Sequence, residues 1–278
     1  YDNQHAEIYT NESSDRAFEE EVMLSGFANA NVKVEGSGVN YDQSQETYTA
    51  RYTHDTIALA FAITEEAIED NLYDRISSRY TKALARSMSN AKQVKAAAPL
   101  NNGLPSVDGF DSGDGVSLFN TSHTTVSGTN VKNTLTTQAD LNETSLEQAL
   151  IDIASFTDER GLRVAAKGMK MIIPSANQFS AERLLKSQGR TGTADNDINA
   201  VASMGMVPQG YRVNNFLTDS DSWYIITDVP NGMKMFTRAP LTTAMEGDFD
   251  TGNVRYKARE RYSFGVSDYR GIFGCEGA

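Results

Sequence analysis

The sequence is short of almost everything that marks a catalytic or cross-linked protein. It has one cysteine, Cys275. No intrachain disulfide is therefore possible, and nothing points to an oxidising compartment. It has three histidines, His5, His54 and His123, and none has a second ligand at metal spacing. Six prolines in 278 residues are too few for a loop-only or low-complexity chain. No apolar run approaches the ~20 residues that a membrane-crossing helix needs, and there is no signal peptide. Cations are scarce too: 25 Lys and Arg against 37 Asp and Glu leave a net charge of -12. That balance argues against non-specific nucleic-acid binding by the whole surface, because phosphate neutralisation needs Lys and Arg.

Motifs of catalysis are missing as well. There is no Gly-x-Ser-x-Gly elbow, no dinucleotide fingerprint and no phosphate loop; the glycine-rich stretch 189–195 lacks Gly-x-x-x-x-Gly-Lys. Cys275 lies among Gly271, Gly274 and Gly277, far from any His-bearing element. Asp108, Asp111 and Asp114 near glycines invite a calcium reading, but their spacing is three and the twelfth position is Phe119 rather than Glu. A solvated loop is expected there. No cofactor, metal or catalytic residue is assigned. Carboxylate pairs arise by chance in an acidic chain, so a cytosolic hydrolase with an unrecognised site stays as an alternative, with a binding module behind it.

What is present is a chain long enough for a substantial core, as one large domain or two interlocked ones. Its organising stretch is 55–99. Ile57, Leu59, Phe61 and Ile63 alternate with Ala58, Ala60 and Ala62, the period of a strand with one small face. Thr64 is placed to cap a helix, with Glu65 and Glu66 in its first turn. No Gly or Pro follows until Pro99, and Asn101, Asn102 and Gly103 complete the stop. One unbroken helix of that length would be about 50 Å long. Ile68, Leu72, Ile76, Tyr80, Leu84 and Met88 are each four apart, so their stripe winds around the rod, and Ala91 and Val94 turn it partly back. A core helix broken within 87–91 is the alternative.

Around that rod, residues 1–28 read as a polar, acidic arm unable to build a core. Phe18, Val22, Met23 and Leu24 suit a short amphipathic turn. Residues 29–54 read as a long hairpin, with Val32 and Val34 on one limb, 47–53 on the other, and a turn-rich tip between. On the second limb, Tyr48, Ala50 and Tyr52 face away from Thr47, Thr49, Arg51 and Thr53. Neither face is apolar enough to bury itself, so another surface should hold it. Val34, Tyr41, Tyr48, Arg51 and Tyr52 are the candidate contacts with another subunit. Residues 142–160 form a second helix, capped by Thr144 or Ser145. Strands at 167–174, 210–215, 223–229 and 233–237 alternate with a helix at 176–188, an α+β block. The last strand puts Val254, Tyr256, Ala258, Glu260 and Tyr262 on one face and Arg255, Lys257, Arg259 and Arg261 on the other. Four cations in a row need acidic partners, on neighbouring strands or an adjacent subunit; packaged nucleic acid is the alternative.

Four segments carry a family resemblance in their order. They are Ala60-Phe61-Ala62-Ile63-Thr64-Glu65-Glu66, Leu118-Phe119-Asn120-Thr121-Ser122-His123, Gly168-Met169-Lys170-Met171-Ile172-Ile173-Pro174, and the closing stretch from Glu260 to Gly274. Together they resemble the major capsid protein of tailed bacteriophages, the Hong Kong 97-type fold, in a branch that includes Mu-like head subunits. The resemblance implies an α+β fold with an N-terminal arm (1–28) and an extended hairpin loop (29–54). It further implies a peripheral domain holding the spine helix (55–140), an axial domain (141–236) and peripheral return strands (237–278). It implies a structural role rather than an enzyme. Identical subunits would form pentamers and hexamers of an icosahedral virion shell around double-stranded DNA, assembled in the bacterial cytoplasm. Portal, scaffolding and decoration proteins would be partners; no membrane is. Members of this family often lose an N-terminal segment to a head protease, which fits a chain that begins at Tyr1 without Met. An encapsulin-like nanocompartment shell is the alternative within the same fold.

Overall fold

The computed structural model describes residues 3–70, 76–107, 109–189, 197–248 and 250–278. The elements in order are β1 (Thr10–Ser13), β2 (Phe18–Leu24), β3 (Glu46–Thr53), β4 (Asp55–Ile63), α1 (Glu65–Glu69), α2 (Ile76–Asn102), β5 (His123–Thr124), β6 (Asn130–Val131), α3 (Glu143–Ala154), β7 (Gly168–Ile173), α4 (Gln178–Lys186), α5 (Ala200–Met204), β8 (Tyr211–Val213), β9 (Trp223–Thr227), β10 (Met233–Gly247), β11 (Val254–Val266) and β12 (Ile272–Cys275). Short 3-10 turns stand at Gln4–Glu7, Ser175–Asn177 and Tyr269–Gly271. The chain divides into two units. The first is Tyr1–Glu19, Tyr52–Ala97 and Met235–Phe264; the second is Glu20–Arg51, Ala98–Lys234 and Gly265–Ala278.

In the first unit a four-stranded sheet runs β1-β10-β11-β4. Strands β11 and β4 are antiparallel, with Ala258 opposite Leu59 and Glu260 opposite Ile57. Leu84 and Met88 of α2 pack with Ala258, Ile57 and Phe61. The alternation expected of β11 is there: Ala258, Glu260 and Tyr262 are buried, while Arg255, Lys257 and Arg259 are exposed. A period of two on a sheet covered on one side produces that division. Lys92 reaches Glu260 at 2.5 Å and Lys95 reaches Asp55 at 2.6 Å, tying the helix to the two central strands.

The N-terminal segment is part of this unit, not a free polar arm. Ile8 and Tyr9 are buried. The Tyr9 hydroxyl donates to the Ala96 carbonyl at 2.6 Å, and the His5 backbone N–H donates to Gln93 Oε1 at 3.0 Å. Two buried apolar side chains and a few hydrogen bonds to α2 order a segment that has no core of its own.

The rod departs from expectation at both ends. Thr64 occupies the N-cap position with extended backbone, but its side chain makes no capping bond. Helix α1 ends at Glu69. The expected continuity, and with it Leu72, crosses 71–75 and lies outside the described residues. The alternative break within 87–91 does not occur, because α2 is continuous there. Pro99 does not stop α2, which runs on to Asn102. Proline forfeits one helical hydrogen bond. Ala96, Ala97 and Leu100, all within 1% of full burial, favour helix across it by keeping one face in the core. Val94, expected on the stripe, is exposed; Gln93 is buried instead.

The second unit is built on a sheet in the order β12-β9-β7-β8. Strand β7 pairs parallel with β8 and antiparallel with β9. Its core holds Met171, Ile173, Trp223, Ile225, Ile272 and Phe273, all fully buried. Helix α3 is capped by Asn142 rather than Thr144 or Ser145: Asn142 accepts from the Ser145 N–H and Ser145 Oγ accepts from the Asn142 N–H. Asparagine competes well at this position, and the reciprocal bond satisfies two otherwise unpaired donors. Residues 98–140 and 265–278, expected with the spine helix, belong to this unit. Gly232 and Gly271 meet backbone to backbone, so a Cβ on Gly271 would lie 2.3 Å from the Gly232 Cα.

Candidate assembly surfaces

The hairpin is differently drawn from the expected one. Strand β3 pairs with β2, so the first limb is Phe18–Leu24 rather than the segment holding Val32 and Val34. The alternating burial along β2 shows why: Phe18, Glu20, Val22 and Leu24 face out, and Glu19, Glu21 and Met23 face in. Residues 25–45 form an irregular loop closed at its base. The Ser25 N–H donates to the Gln45 carbonyl at 2.9 Å, and the Gln45 N–H donates to Ser25 Oγ at 3.0 Å.

Asp42 clamps that base. Its carboxylate accepts from the N–H groups of Ala28 at 2.7 Å and Gln43 at 2.9 Å, and Arg160 approaches at 3.3 Å. The Ala28 and Gln43 hydrogen bonds, aided by Arg160, hold this exposed carboxyl below its usual range. Gly36 turns the tip with φ +79°, a conformation that glycine adopts without a Cβ clash. Beyond the clamp, residues 29–41 are all exposed. Val32 and Tyr41 are each 94% exposed, Val34 70% and Val39 64%.

The five candidate contacts therefore separate. Val34 and Tyr41 stand in the open. Arg51 is exposed and approaches Glu20 at 3.8 Å. Tyr48 and Tyr52 turn inward. The expected alternation of β3 is correct, but its tyrosine face is taken up by the chain's own fold. Tyr52 is 2% exposed and packs edge-on against Phe236, with ring centroids 4.8 Å apart. Tyr48 is half-buried; its ring leaves no room for a Cβ on Gly113 and lies 6.3 Å from that of Tyr269. Burial raises the Tyr48 hydroxyl well above its ordinary range. The sequence does not single out Phe27 or Val39, and it places Leu24 on an amphipathic turn and Val32 on a hairpin limb without naming either as a subunit contact; all four are exposed. The available signal was apolar residues scattered without period through a Gly, Asn and Ser stretch.

The second surface is the outer face of β11. Arg255 pairs with Asp248. Among the described residues, no carboxylate lies within pairing distance of Lys257, Arg259 or Arg261. Across the strand boundary these cations face Ala62, Ala60, Ala58 and Thr56, all exposed. Arg261 Nε is buried without a hydrogen-bond partner. Behind it, His54 bridges Ser14 and Ser263 at 3.0 Å each. Burial, then Arg261, lowers the His54 imidazole, against an opposing pull from Glu19. The result is a row of cations beside a flat floor of small side chains, a shape that an acidic segment can approach closely.

Among the described residues, no group of three or more His, Cys, Asp or Glu is placed to hold a metal ion. No described helix is long and apolar enough to cross a membrane. Cys275 is buried in a hydrogen-bonded nook with Gln138 and Ala139, and burial pushes its thiol up, away from the reactive thiolate.

A family described as phage capsid protein matches residues 47–274. No curated protein sequence matches the chain. Solved structures do. The capsid of an empty GTA particle is 12% identical with a TM-score of 0.64, over 100% of this chain and 91% of that one. The capsid of the cyanophage P-SCSP1u is 12% identical with a TM-score of 0.61, over 97% and 86%. A virus-like particle from Pyrococcus furiosus is 11% identical with a TM-score of 0.51, over 96% and 89%.

Proposed function

The chain belongs to the phage capsid protein family as a major capsid protein of Hong Kong 97-type fold, and from that premise we propose how its copies build a head. Pentamers and hexamers of this chain tile an icosahedral virion shell around double-stranded DNA. The role is structural and needs no cofactor. Scaffolding, portal and decoration proteins are its further partners. The unit carrying β4, α2 and β11 serves as the peripheral domain with its spine helix, and 141–236 as the axial domain.

The observation that carries this reading is the 25–45 loop. Its base is fixed by Asp42 while its apolar side chains are left in water. Exposed apolar side chains grouped on one projecting segment mark an interaction site, and aromatic anchors are enriched in such contacts. A neighbouring copy covers Val34 and Tyr41, with Arg51 at the margin. Lys257, Arg259 and Arg261 take carboxylates from an adjacent copy, which is acidic overall.

The test is to remove 29–41, join the ends with a short glycine linker, and compare sedimentation and electron micrographs with the intact chain. A folded but unassembled subunit is the expected result. Normal shells from the shortened chain would refute the loop's role. Shells of the intact chain filled with protein rather than DNA would refute the virion reading.

A further inference from the structure

Two elements of this chain are suited to pairing and are left without it. Strand β4 ends its sheet on one side, and among the described residues no strand pairs with its other edge. It is nine residues long, and Thr56 to Ile63 carry no charge, proline or glycine. Natural edge strands are kept short, charged or interrupted, because their open N–H and C=O groups template the pairing of another chain. Ile57 and Phe61 pack toward α2, and Leu59, on the same face, is still 46% exposed. Thr56, Ala58, Ala60 and Ala62 leave the other face flat. The second element is the first half of the 25–45 loop. Asn31-Val32-Lys33-Val34-Glu35 alternates apolar and polar as a strand does. Yet among the described residues none of Asn29 to Lys33 makes a backbone hydrogen bond.

We propose that the segment from Asn31 to Glu35 of one copy adds a strand to the free edge of β4 in a neighbouring copy. The inference rests on the loop being an assembly contact and names the surface it meets. Strand addition draws affinity from main-chain hydrogen bonds and specificity from alternate side chains. With Val32 and Val34 turned toward the α2 side, they cover the part of β4 where Leu59 is exposed. Lys33 and Glu35 then lie on the outer face. The added strand stands about 10 Å from β11, two strand spacings away, and only small side chains lie between them. An antiparallel register with Glu35 opposite Ala60 aims its carboxylate across that floor at Lys257 and Arg259, which stand opposite Ala60 and Ala58. Lys33 falls opposite Ala62, beside Arg255, whose charge Asp248 already meets. Val34 falls opposite Phe61 with Leu59 diagonal to it, both within reach of a cross-strand pair. The segment also stops where pairing must stop: Gly36 turns with φ +79°, and the Ser37 N–H and hydroxyl donate to the Val34 carbonyl. A second β4 would serve the edge equally in hydrogen bonds but would bring no carboxylate to the cation row.

The experiment assembles full-length subunits from two populations. One carries Val34→Cys; the other carries an affinity tag and Phe61→Cys, Leu59→Cys, Ala60→Cys or Ala58→Cys. The chain's own Cys275 is buried. After mild oxidation, mixed dimers should form with Phe61→Cys or Leu59→Cys. They should be roughly tenfold fewer with Ala60→Cys or Ala58→Cys, whose Cβ vectors point to the other face. Equal linking at all four positions, or none, in shells that form normally overturns strand addition. Links only between two tagged copies place β4 against β4 and overturn it as well. Should Phe61→Cys or Leu59→Cys fail to fold, hydrogen exchange of unaltered shells decides. Amides of residues 31–35 that exchange roughly tenfold or more slowly in shells than in dissociated subunits support the added strand, and unchanged exchange overturns it. Loss of assembly on removing 29–41, with neither the links nor the protection, overturns strand addition while the loop remains an assembly contact, so the two readings fail separately.

Discussion

Lys92 Nζ lies 2.5 Å from Glu260 Oε2, and the Glu260 side chain is only 4% exposed. Lys92 comes from the helix that covers this face of the sheet, and a buried carboxylate needs a paired cation. Lys92 also sits 5.0 Å from the Tyr262 ring centre, so one cation serves two neighbours on β11. Removing it strands a buried charge, which costs about 3 kcal/mol or more. Lys92→Met should lower subunit stability by about that amount in urea unfolding. Lys92→Met with Glu260→Leu should recover most of the loss, because an apolar pair needs no desolvation offset. Equal losses in the single and double variants would show that the pair contributes little.

Leu84 and Val94 test how the helix meets the sheet. Both belong to the apolar stripe drawn from spacing, yet Leu84 is 8% exposed and Val94 51%. Truncating a buried leucine costs about 2–5 kcal/mol, and an exposed valine within about 0.5 kcal/mol. Leu84→Ala should therefore shift the urea midpoint strongly and Val94→Ala hardly at all. Comparable shifts would mean that Val94 is covered in the isolated subunit.

That pair also shows what the sequence makes legible. Spacing identifies Leu84 and Met88 because their neighbours, β4 and β11, announce themselves by period two. It fails at Val94 because Lys92, Gln93, Ala96 and Ala97 serve that stretch of helix through ion pairs, hydrogen bonds and small contacts, none of which has an apolar period. Pro99 misleads for a related reason: the rule that proline ends a helix is local, and the burial of Leu100 beside it is not. Tyr52 misleads in the opposite direction. Its strand face is correctly grouped from alternation, but alternation cannot say whether the face meets its own chain or another. Val34 and Tyr41 are legible as candidate contacts because no element in the sequence offers them cover.

Asp219 gives a prediction with its own pH window. Burial, and a hydrogen bond with Asp221, push its carboxyl up from 3.8 to about 6. An acid raised on folding binds its proton more tightly in the folded chain. Stability is then favoured below the unfolded value and falls as pH rises from about 4 to about 6. Asp219→Asn keeps the shape and removes the titration. The variant should show a flatter stability profile than the intact chain between pH 4 and 6, and higher stability at pH 7. Superimposable profiles would sink the assignment.

The most direct contrast concerns three side chains of the hairpin region. Tyr41 and Val34 are 94% and 70% exposed, whereas Tyr52 is 2% exposed against Phe236. If the loop serves a neighbour, its open residues matter to assembly and its buried ones to folding. Tyr41→Ser with Val34→Ser should leave subunit stability within about 0.5 kcal/mol, because both side chains are exposed. The same double variant should assemble poorly, since an anchor truncated at an interface commonly costs 2 kcal/mol or more per contact and the shell repeats that contact in every copy. Tyr52→Ala should do the reverse at first measurement, losing about 3–5 kcal/mol of subunit stability through a core cavity. Urea unfolding of dissociated subunits and sedimentation of assembled material read the two effects separately. Full assembly by the Tyr41→Ser, Val34→Ser variant would remove the loop from the interface, whatever Tyr52 does.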